Sequence, residues 1–177
     1  MHVREAVNAL SIIERLENDN GVSPIAALGF QVTNSGGETR SAKAGFGLER
    51  AAANGRGFLG VYVRATNDTS DFVAADRVAA WSITGIFAKK LGTAVASVAA
   101  IVPTGNVFHV TGTTTITSVD GTGLHGGTEI MMIFDGILTV TDGSNLKLAG
   151  NFVTSADDTI TLMWDGANWY EKGRSVN

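Results

Sequence analysis

Short strands separated by regularly spaced turn residues dominate the chain between Gly112 and Tyr170. The strand segments TTTITSV, TEIMMIF, ILTV, NLKLAG and TITLMW are rich in threonine and β-branched residues, and the turn sequences DGTG, DG, TDGSN, SADD and DGAN separate them. Strands and turn signals that recur about every eight to twelve residues are typical of antiparallel β-sandwiches and barrels. The sequence therefore predicts a mainly β protein whose function lies on a surface carried by a β scaffold.

The composition of the chain agrees with a β-rich fold. Only 17% of the 177 residues are charged, and 22 glycines stand against 2 prolines and no cysteine. This balance suits tight turns and argues against a long coiled coil or a disordered tail. The net charge of −4 offers no basic field to nucleic acid. The longest apolar run, LGTAVASVAAIV, is too short to cross a bilayer. We recognise no targeting signal and expect neither nucleic-acid binding nor membrane insertion.

Residues 3–17 carry an amphipathic helical pattern. Val3, Leu10 and Ile13 belong to its apolar stripe, and Asn18–Gly21 supply a stop signal. An isolated helix of this length is marginal in water, so it needs a partner. Two interpretations stay open. The helix packs on its own sheet, or it begins a parallel coiled coil in which the three apolar residues meet their copies in a homotrimer.

Strands are also predicted in the first half of the chain. Residues 25–34, 42–50, 57–66 and 77–83 show the expected apolar alternation or β-branched content. Asn54-Gly55, between the second and third of these segments, is a strong turn signal. The sequence therefore predicts that these two segments pair as a hairpin.

The chain divides into three predicted regions. Residues 1–21 form the helical region, residues 22–92 a first β region, and residues 93–177 a jelly-roll-like, antiparallel β-sandwich. The stretch 86–100 has mixed helix and strand preferences, and we interpret it as a linker entering a strand that ends before Pro103.

The strand TEIMMIF predicts an oligomer contact. Ile130, Met132 and Phe134 alternate onto one face, while Met131 and Ile133 occupy the other. Both faces are apolar, although a two-layer sandwich normally leaves one face in water. Another copy of the chain is the simplest cover for the second face. We therefore predict that Met131 and Ile133 lie in a trimer interface.

Several patterns that could indicate catalysis or cofactor binding have a structural explanation. Residues 121–126 spell GxGxxG, but a strand follows them where a dinucleotide site requires a helix. His2, His109 and His125 have no partner at metal-ligand spacing, although a trimer axis could bring copies together. Asp157-Asp158 is predicted to bond its own turn and not to form a glycosidase pair. We expect no enzyme activity, no metal and no cofactor.

The last predicted hairpin, TITLMWDGANWYEK, is the best candidate for a binding surface. Its register predicts that Trp164 and Trp169 oppose each other as a pair in the core. Tyr170 then points to the other side. With Asp165, Asn168 and Glu171 nearby, it has the composition of a sugar site, in which an aromatic ring stacks beside hydrogen-bonding neighbours. An oligomer interface would account for the same tyrosine.

Residues 105–175 resemble the distal C-terminal region of bacteriophage tail fibres and tail spikes. The resemblance rests on the phrases GNVFHVTGTTTITSVDGTG, IFDGILTVTDGSNLKLAGNF and DDTITLMWDGANWYEKGRS, in wording and in spacing. The upstream phrases AGFGLERAAANGRGFLGVYVRATND and DRVAAWSITG are similar to fibre segments in a looser way.

The resemblance implies a homotrimer at the distal end of a virion tail fibre. It implies a receptor that is a host surface polysaccharide, a lipopolysaccharide or an outer-membrane protein, and it supplies no catalytic motif in this region. Three hypotheses follow from it. The chain is a receptor-binding tip, a structural trimerisation and folding cap of a longer fibre, or a fragment of a polysaccharide depolymerase.

Overall fold

The computed structural model of the chain describes residues 25–30, 42–50, 57–66 and 70–177. These residues form β-strands, connecting turns and one turn of 3-10 helix at Ala74–Asp76, with no α-helix among them. The prediction of a mainly β chain is therefore confirmed. The helix predicted over residues 3–17, with Val3, Leu10 and Ile13, lies outside the described residues.

The chain separates into two compact units, Met1–Ala88 and Lys89–Asn177. The sequence placed the boundary between the two β regions after residue 92. Each unit has its own sheet.

The first unit is built on a five-stranded sheet in the order β1-β2-β3-β4-β5. The strands are β1 Ile25–Phe30, β2 Ala44–Arg50, β3 Gly57–Val63, β4 Arg77–Trp81 and β5 Phe87–Lys89. β1 to β4 pair antiparallel with their neighbours. The predicted pairing of the second and third segments is confirmed, since Ala44 to Arg50 align with Val63 to Gly57. The Asn54-Gly55 turn lies outside the described residues.

One face of this sheet is lined by glycines and covered by the segment before β4. A side chain at Gly45 would overlap the ring of Phe72, and one at Gly60 would overlap Tyr62. Phe72 stacks on Tyr62 with 5.2 Å between the ring centroids. Tyr62 is fully buried. Burial and the Glu49 carboxylate raise the pKa of Tyr62 to about 12. Glycine on this face therefore lets an aromatic pair pack directly on the strands.

The opposite face of the same sheet carries large apolar side chains that the described residues leave exposed. Cross-strand partners such as Leu28 and Phe46, Leu48 and Leu59, and Leu59 and Trp81 share this side. We call it the open face, and its large exposed members are Leu28, Phe30, Phe46, Leu48, Leu59, Val63, Trp81 and Phe87.

The second unit contains a six-stranded sheet and two short ladders. The six-stranded sheet has the order β12-β15-β14-β10-β8-β6, and the ladders are β11-β13 and β7-β9. The strands are β6 Val95–Ala96, β7 Ala100–Ile101, β8 Val107–Thr111, β9 Ser118–Val119, β10 Glu129–Phe134, β11 Thr139–Val140, β12 Leu146–Lys147, β13 Phe152–Val153, β14 Thr159–Trp164 and β15 Trp169–Ser175.

Parallel and antiparallel pairs occur together in this unit. β10, β14 and β15 pair antiparallel, as the sequence predicted. β6, β8 and β10 pair parallel to one another, and so do β7 and β9. Parallel neighbours need a crossover connection, which is usually a helix. Here the chain instead leaves the large sheet, adds a two-residue strand to a ladder and returns.

The core of the second unit lies between the large sheet and the ladders. It joins Ile130, Met132 and Phe134 of β10 to residues of the ladders such as Val119 and Phe152. These side chains are at most 3% exposed. Burial of such side chains is the main favourable term in folding.

The predicted tryptophan pair is part of this core. Trp164 lies directly opposite Trp169, and their ring centroids are 5.1 Å apart. Trp169 is fully buried. Its indole N–H donates to the Val119 carbonyl at 3.0 Å, which ties β15 to the β9 ladder. The predicted pairing of these two tryptophans in the core is confirmed.

A buried carboxylate closes the turn between β13 and β14. Asp158, 1% exposed, accepts backbone N–H bonds from Ser155 and Asn177, both at 2.7 Å. Asp157 adopts a left-handed φ of 68°. The prediction that the acid pair bonds its own turn is therefore confirmed for Asp158, through Ser155. The N–H of Asn177, and next that of Ser155, lowers the pKa of Asp158.

We expect this carboxylate to make the second unit sensitive to acid. The folded pKa of Asp158 lies below the unfolded value of about 3.9. The ionised carboxylate therefore stabilises the folded state fully above about pH 3.9, and this stabilisation is lost as the pH falls through the folded pKa. Asp158→Asn should lower Tm near neutral pH and weaken the fall of Tm in acid, as measured by calorimetry. Asp157→Asn is the matched control, since this side chain is exposed and asparagine tolerates left-handed backbone. Equal acid sensitivity in the wild type and Asp158→Asn would contradict this assignment.

Candidate functional site

Three connecting segments meet at one end of the second unit. They are residues 120–128, 142–145 and 165–168, and we call this region the loop end. The Asn145 side chain holds two of the segments together, because it accepts from the Val119 N–H at 3.2 Å and donates to the Val119 carbonyl at 2.7 Å. The Gly127 N–H donates to the Trp164 carbonyl at 2.7 Å. Main-chain bonds to the strands therefore fix the position of these loops.

Aspartates shape two of these turns. The Asp165 carboxylate accepts the N–H groups of Ala167 and Asn168 at 2.7 and 2.6 Å, and Gly166 supplies a positive φ of 106°. These backbone bonds lower the pKa of Asp165. Asp120 accepts the N–H of Thr122 at 2.9 Å, and its pKa is lowered first by the Thr122 hydroxyl and then by that N–H. Both acids are therefore ionised near neutral pH and partly occupied by their own loops.

A recess of about 610 Å³ opens at the loop end. Its walls are residues 118–124, Asn145, Trp164 and Gly166, together with Ala100 of β7 and Val102, which follows that strand. Pockets for small ligands have volumes of a few hundred cubic ångströms and combine apolar walls with a few polar groups.

The recess combines apolar and polar side chains. Trp164 contributes an indole that is 8% exposed, Leu124 and Val102 are exposed apolar side chains, and Asp120 and Thr122 supply polar oxygens. Asp120 is the one acidic residue that lines this recess.

The residues predicted as a sugar site are only partly brought together. Tyr170 is 42% exposed, and its hydroxyl contributes to the low pKa of Asp165, after the backbone N–H groups. Asn168 uses its backbone to close the turn. Glu171 lies opposite the buried Leu162 and so points to the core side of β15. The structure therefore joins Tyr170 to the turn and separates Glu171 from it.

Glu171 has a structural role at the edge of the sheet. Its carboxylate accepts from Arg174 Nε at 2.6 Å and from the Ala149 N–H at 2.9 Å. The Arg174 guanidinium is the main cause of the lowered pKa of Glu171. This pairing leaves the carboxylate little capacity for a ligand.

The predicted interface residues of β10 lie on a mixed surface. Met131 is 36% exposed and Ile133 is half-buried. Their partners on the same face are Thr161 and Thr159 of β14, and Val107 and His109 of β8. The apolar character of the strand therefore continues on β8 only at Val107 and is interrupted by threonines and a histidine, and the role of both residues in a trimer stays a prediction.

The other candidate motifs have local roles. His109 faces outward and its Nδ1 lies 2.6 Å from Asp135 Oδ1. Residues 121–126 form a loop that leads into β10 with no helix after it. Within the described residues, no three His, Cys, Asp or Glu side chains group as metal ligands.

Sequence reasoning missed Asp120, Thr122 and Leu124 as parts of a recess. The signal was the phrase DGTGLHGG, which predicts a loop but not its neighbours. Only the fold shows that this loop packs against Trp164, where a side chain at Gly121 would overlap the indole.

Comparison with protein-family models and with curated proteins finds no match to this chain. Across residues 25–30, 42–50, 57–66 and 70–177, no helix has the length and apolar character to span a bilayer.

The contact between Gly121 and Trp164 predicts a test of the recess. We expect Gly121→Ala to displace the loop or the indole at a cost of about 1–3 kcal/mol, the usual range for overpacking. The loss would be visible as a lower Tm and altered tryptophan fluorescence. Gly136→Ala is the control, because nothing lies within 4 Å of a side chain there. A Gly121→Ala protein as stable as the wild type would show that the loop does not pack on Trp164.

Proposed function

We propose that the chain is the non-enzymatic, receptor-binding tip of a bacteriophage tail fibre. In this proposal it assembles as a homotrimer of β-sandwich character at the distal end of the fibre in the virion. It binds a glycan of the host surface, such as a polysaccharide or lipopolysaccharide, through the loop end of the second unit. It needs no metal or cofactor.

The recess at the loop end is the observation that carries this proposal. It combines an indole, exposed aliphatic side chains and polar oxygens within loops that hydrogen bonds hold in place. Loops on a rigid scaffold are common carriers of binding function. The exposed Tyr170 ring beside the 165–168 turn extends the same end of the unit with a surface suited to stacking on a sugar.

Weak single sites are sufficient for such a tip. Three copies of a recess on one fibre, and several fibres on one particle, convert later binding events into intramolecular ones. The resulting avidity exceeds the affinity of one site by orders of magnitude. A recess whose polar groups already bond their own loops is therefore compatible with firm attachment to a cell.

A structural trimerisation and folding cap is the second candidate. The open face of the first unit favours it, since eight large apolar side chains there remain exposed within the described residues. A cap would hold a longer fibre in register while receptor contacts lie elsewhere. A depolymerase fragment has less support, because the recess offers a single carboxylate.

Binding of the purified protein to host cells, competed by purified surface glycan, separates tip from cap. We expect Tyr170→Ala to weaken cell binding about tenfold, the effect of losing roughly 1.4 kcal/mol. Tm should hardly change, because the ring is exposed. Val153→Ala, at a residue that is 65% exposed on β13, is the control. Loss of assembly in Tyr170→Ala would place the residue in an interface, and release of reducing ends from the glycan would overturn the non-enzymatic assignment.

A further inference from the structure

The open face of the first unit is a continuous apolar surface on a sheet whose other side is already covered. Its eight large side chains are between 41 and 56% exposed. Phe30 packs edge-on against Phe46 with centroids 5.9 Å apart, and Trp81 lies 4.8 Å from Phe87. Contiguous apolar patches of this extent are rare on monomeric proteins and mark interaction sites.

The size of this surface is that of a protein interface. Taking about 200 Å² as the full area of a large apolar side chain, the eight residues expose on the order of 700 Å², close to the roughly 800 Å² that each partner contributes to a standard interface. At about 25 cal/mol for each Å² removed from water, leaving such a surface uncovered would be costly.

The chemistry of the open face indicates what covers it. The central positions Phe46, Leu48, Leu59 and Trp81 carry no charge, and the strand backbones beneath them are paired within the sheet. Arg50, at the end of β2, is the charged residue on this side of β1 to β4. Lys89, two residues after Phe87 on β5, is a second charge at the margin of this face. The uncharged centre has nothing to match with an oppositely charged partner and meets a copy of itself without electrostatic conflict.

We propose that the open face is the surface through which copies of this chain associate. The copies number three in the proposed fibre tip, and on this point the inference rests on the proposed function. The assembly surface then lies on β1 to β5 of the first unit. The Met131 and Ile133 face, which the sequence favoured, is secondary because threonines and a histidine interrupt it.

Symmetry supports a copy of the chain as the partner. Most soluble oligomers are closed homo-oligomers, and in a threefold ring one part of each subunit's surface meets a different part of its neighbour's. A flat apolar sheet face can serve every subunit of a ring in this way. It also explains the segregation within the sheet, in which the covered face uses glycine and the open face uses leucine, phenylalanine and tryptophan.

Light scattering of the full chain after size-exclusion chromatography tests the proposal. The wild type at micromolar concentration should have a mass at least twice the 18.4 kDa of one chain, and three times that mass for the proposed trimer. Leu59→Glu, a change at a side chain that is 50% exposed within one chain, should reduce the mass to 18.4 kDa, because each copy would bury a carboxylate without a partner. Met131→Glu is the matched control and should leave the mass unchanged.

Several outcomes would overturn the inference. A wild type that is monomeric at tens of micromolar would do so, and hydroxyl-radical footprinting would then show whether another part of the same chain protects Phe46 and Trp81. Dissociation by Met131→Glu but not by Leu59→Glu would move the interface to β10. Circular dichroism of Leu59→Glu checks that the strands persist, and Leu59→Ala provides a milder variant that should raise the dissociation constant of the assembly at least tenfold.

The same samples separate this inference from the proposed function. Calorimetric titration of Leu59→Glu with the host glycan measures the single-site affinity, which should equal that of the wild type, while adhesion of the variant to cells falls with the loss of avidity. An oligomer that binds no glycan would support the inference and refute the receptor-binding role. A monomeric wild type that binds glycan would do the opposite.

Discussion

The fully buried indole of Trp169 joins the two layers of the second unit. It packs on Trp164 across the last hairpin, and its N–H reaches the carbonyl of Val119 in the short β9 ladder. A buried indole without a partner for its N–H would be costly, so the position of β9 relative to β15 is closely defined. Because Asn145 holds the same residue, Val119, from the other side, the loops that border the recess depend on this contact.

This arrangement explains how a unit that includes many short strands presents defined loops. The ladder strands contain only two residues each, which is too few to fix a loop by pairing alone. Side chains therefore also fix the loops, since the carboxylates of Asp120 and Asp165 accept hydrogen bonds from the N–H groups of their own turns. A binding surface whose loops are already ordered loses less conformational entropy when a ligand binds. In the proposed binding role, the carboxylates that close the turns would therefore favour recognition without contacting the ligand.

The sequence predicted those features that depend on local pattern. Alternation in TEIMMIF and TITLMW predicted β10 and β14. The turn sequence DGAN between Trp164 and Trp169 predicted that these two residues pair across a hairpin. Parallel pairing of β6, β8 and β10 escaped prediction, because it joins residues far apart whose identities do not specify a partner. The sequence also grouped Glu171 with Tyr170, although alternation along β15 from the buried Trp169 puts Glu171 on the core side, opposite Leu162, where it pairs with Arg174.

The open face shows that a sequence pattern can predict a strand without predicting which of its sides is buried. Alternation in AGFGLER predicts a strand with glycine on one side and large apolar residues on the other. Large apolar residues are usually the buried ones, so this side would be expected to face the core. The structure buries the glycines, because an aromatic pair, Tyr62 and Phe72, needs the space that a missing side chain leaves. Fully covering both sides of such a strand requires more apolar surface than one chain supplies from its described residues. The proposed association of copies would satisfy that requirement, and the proposal rests on the distribution of glycine as much as on the exposed leucines and aromatics.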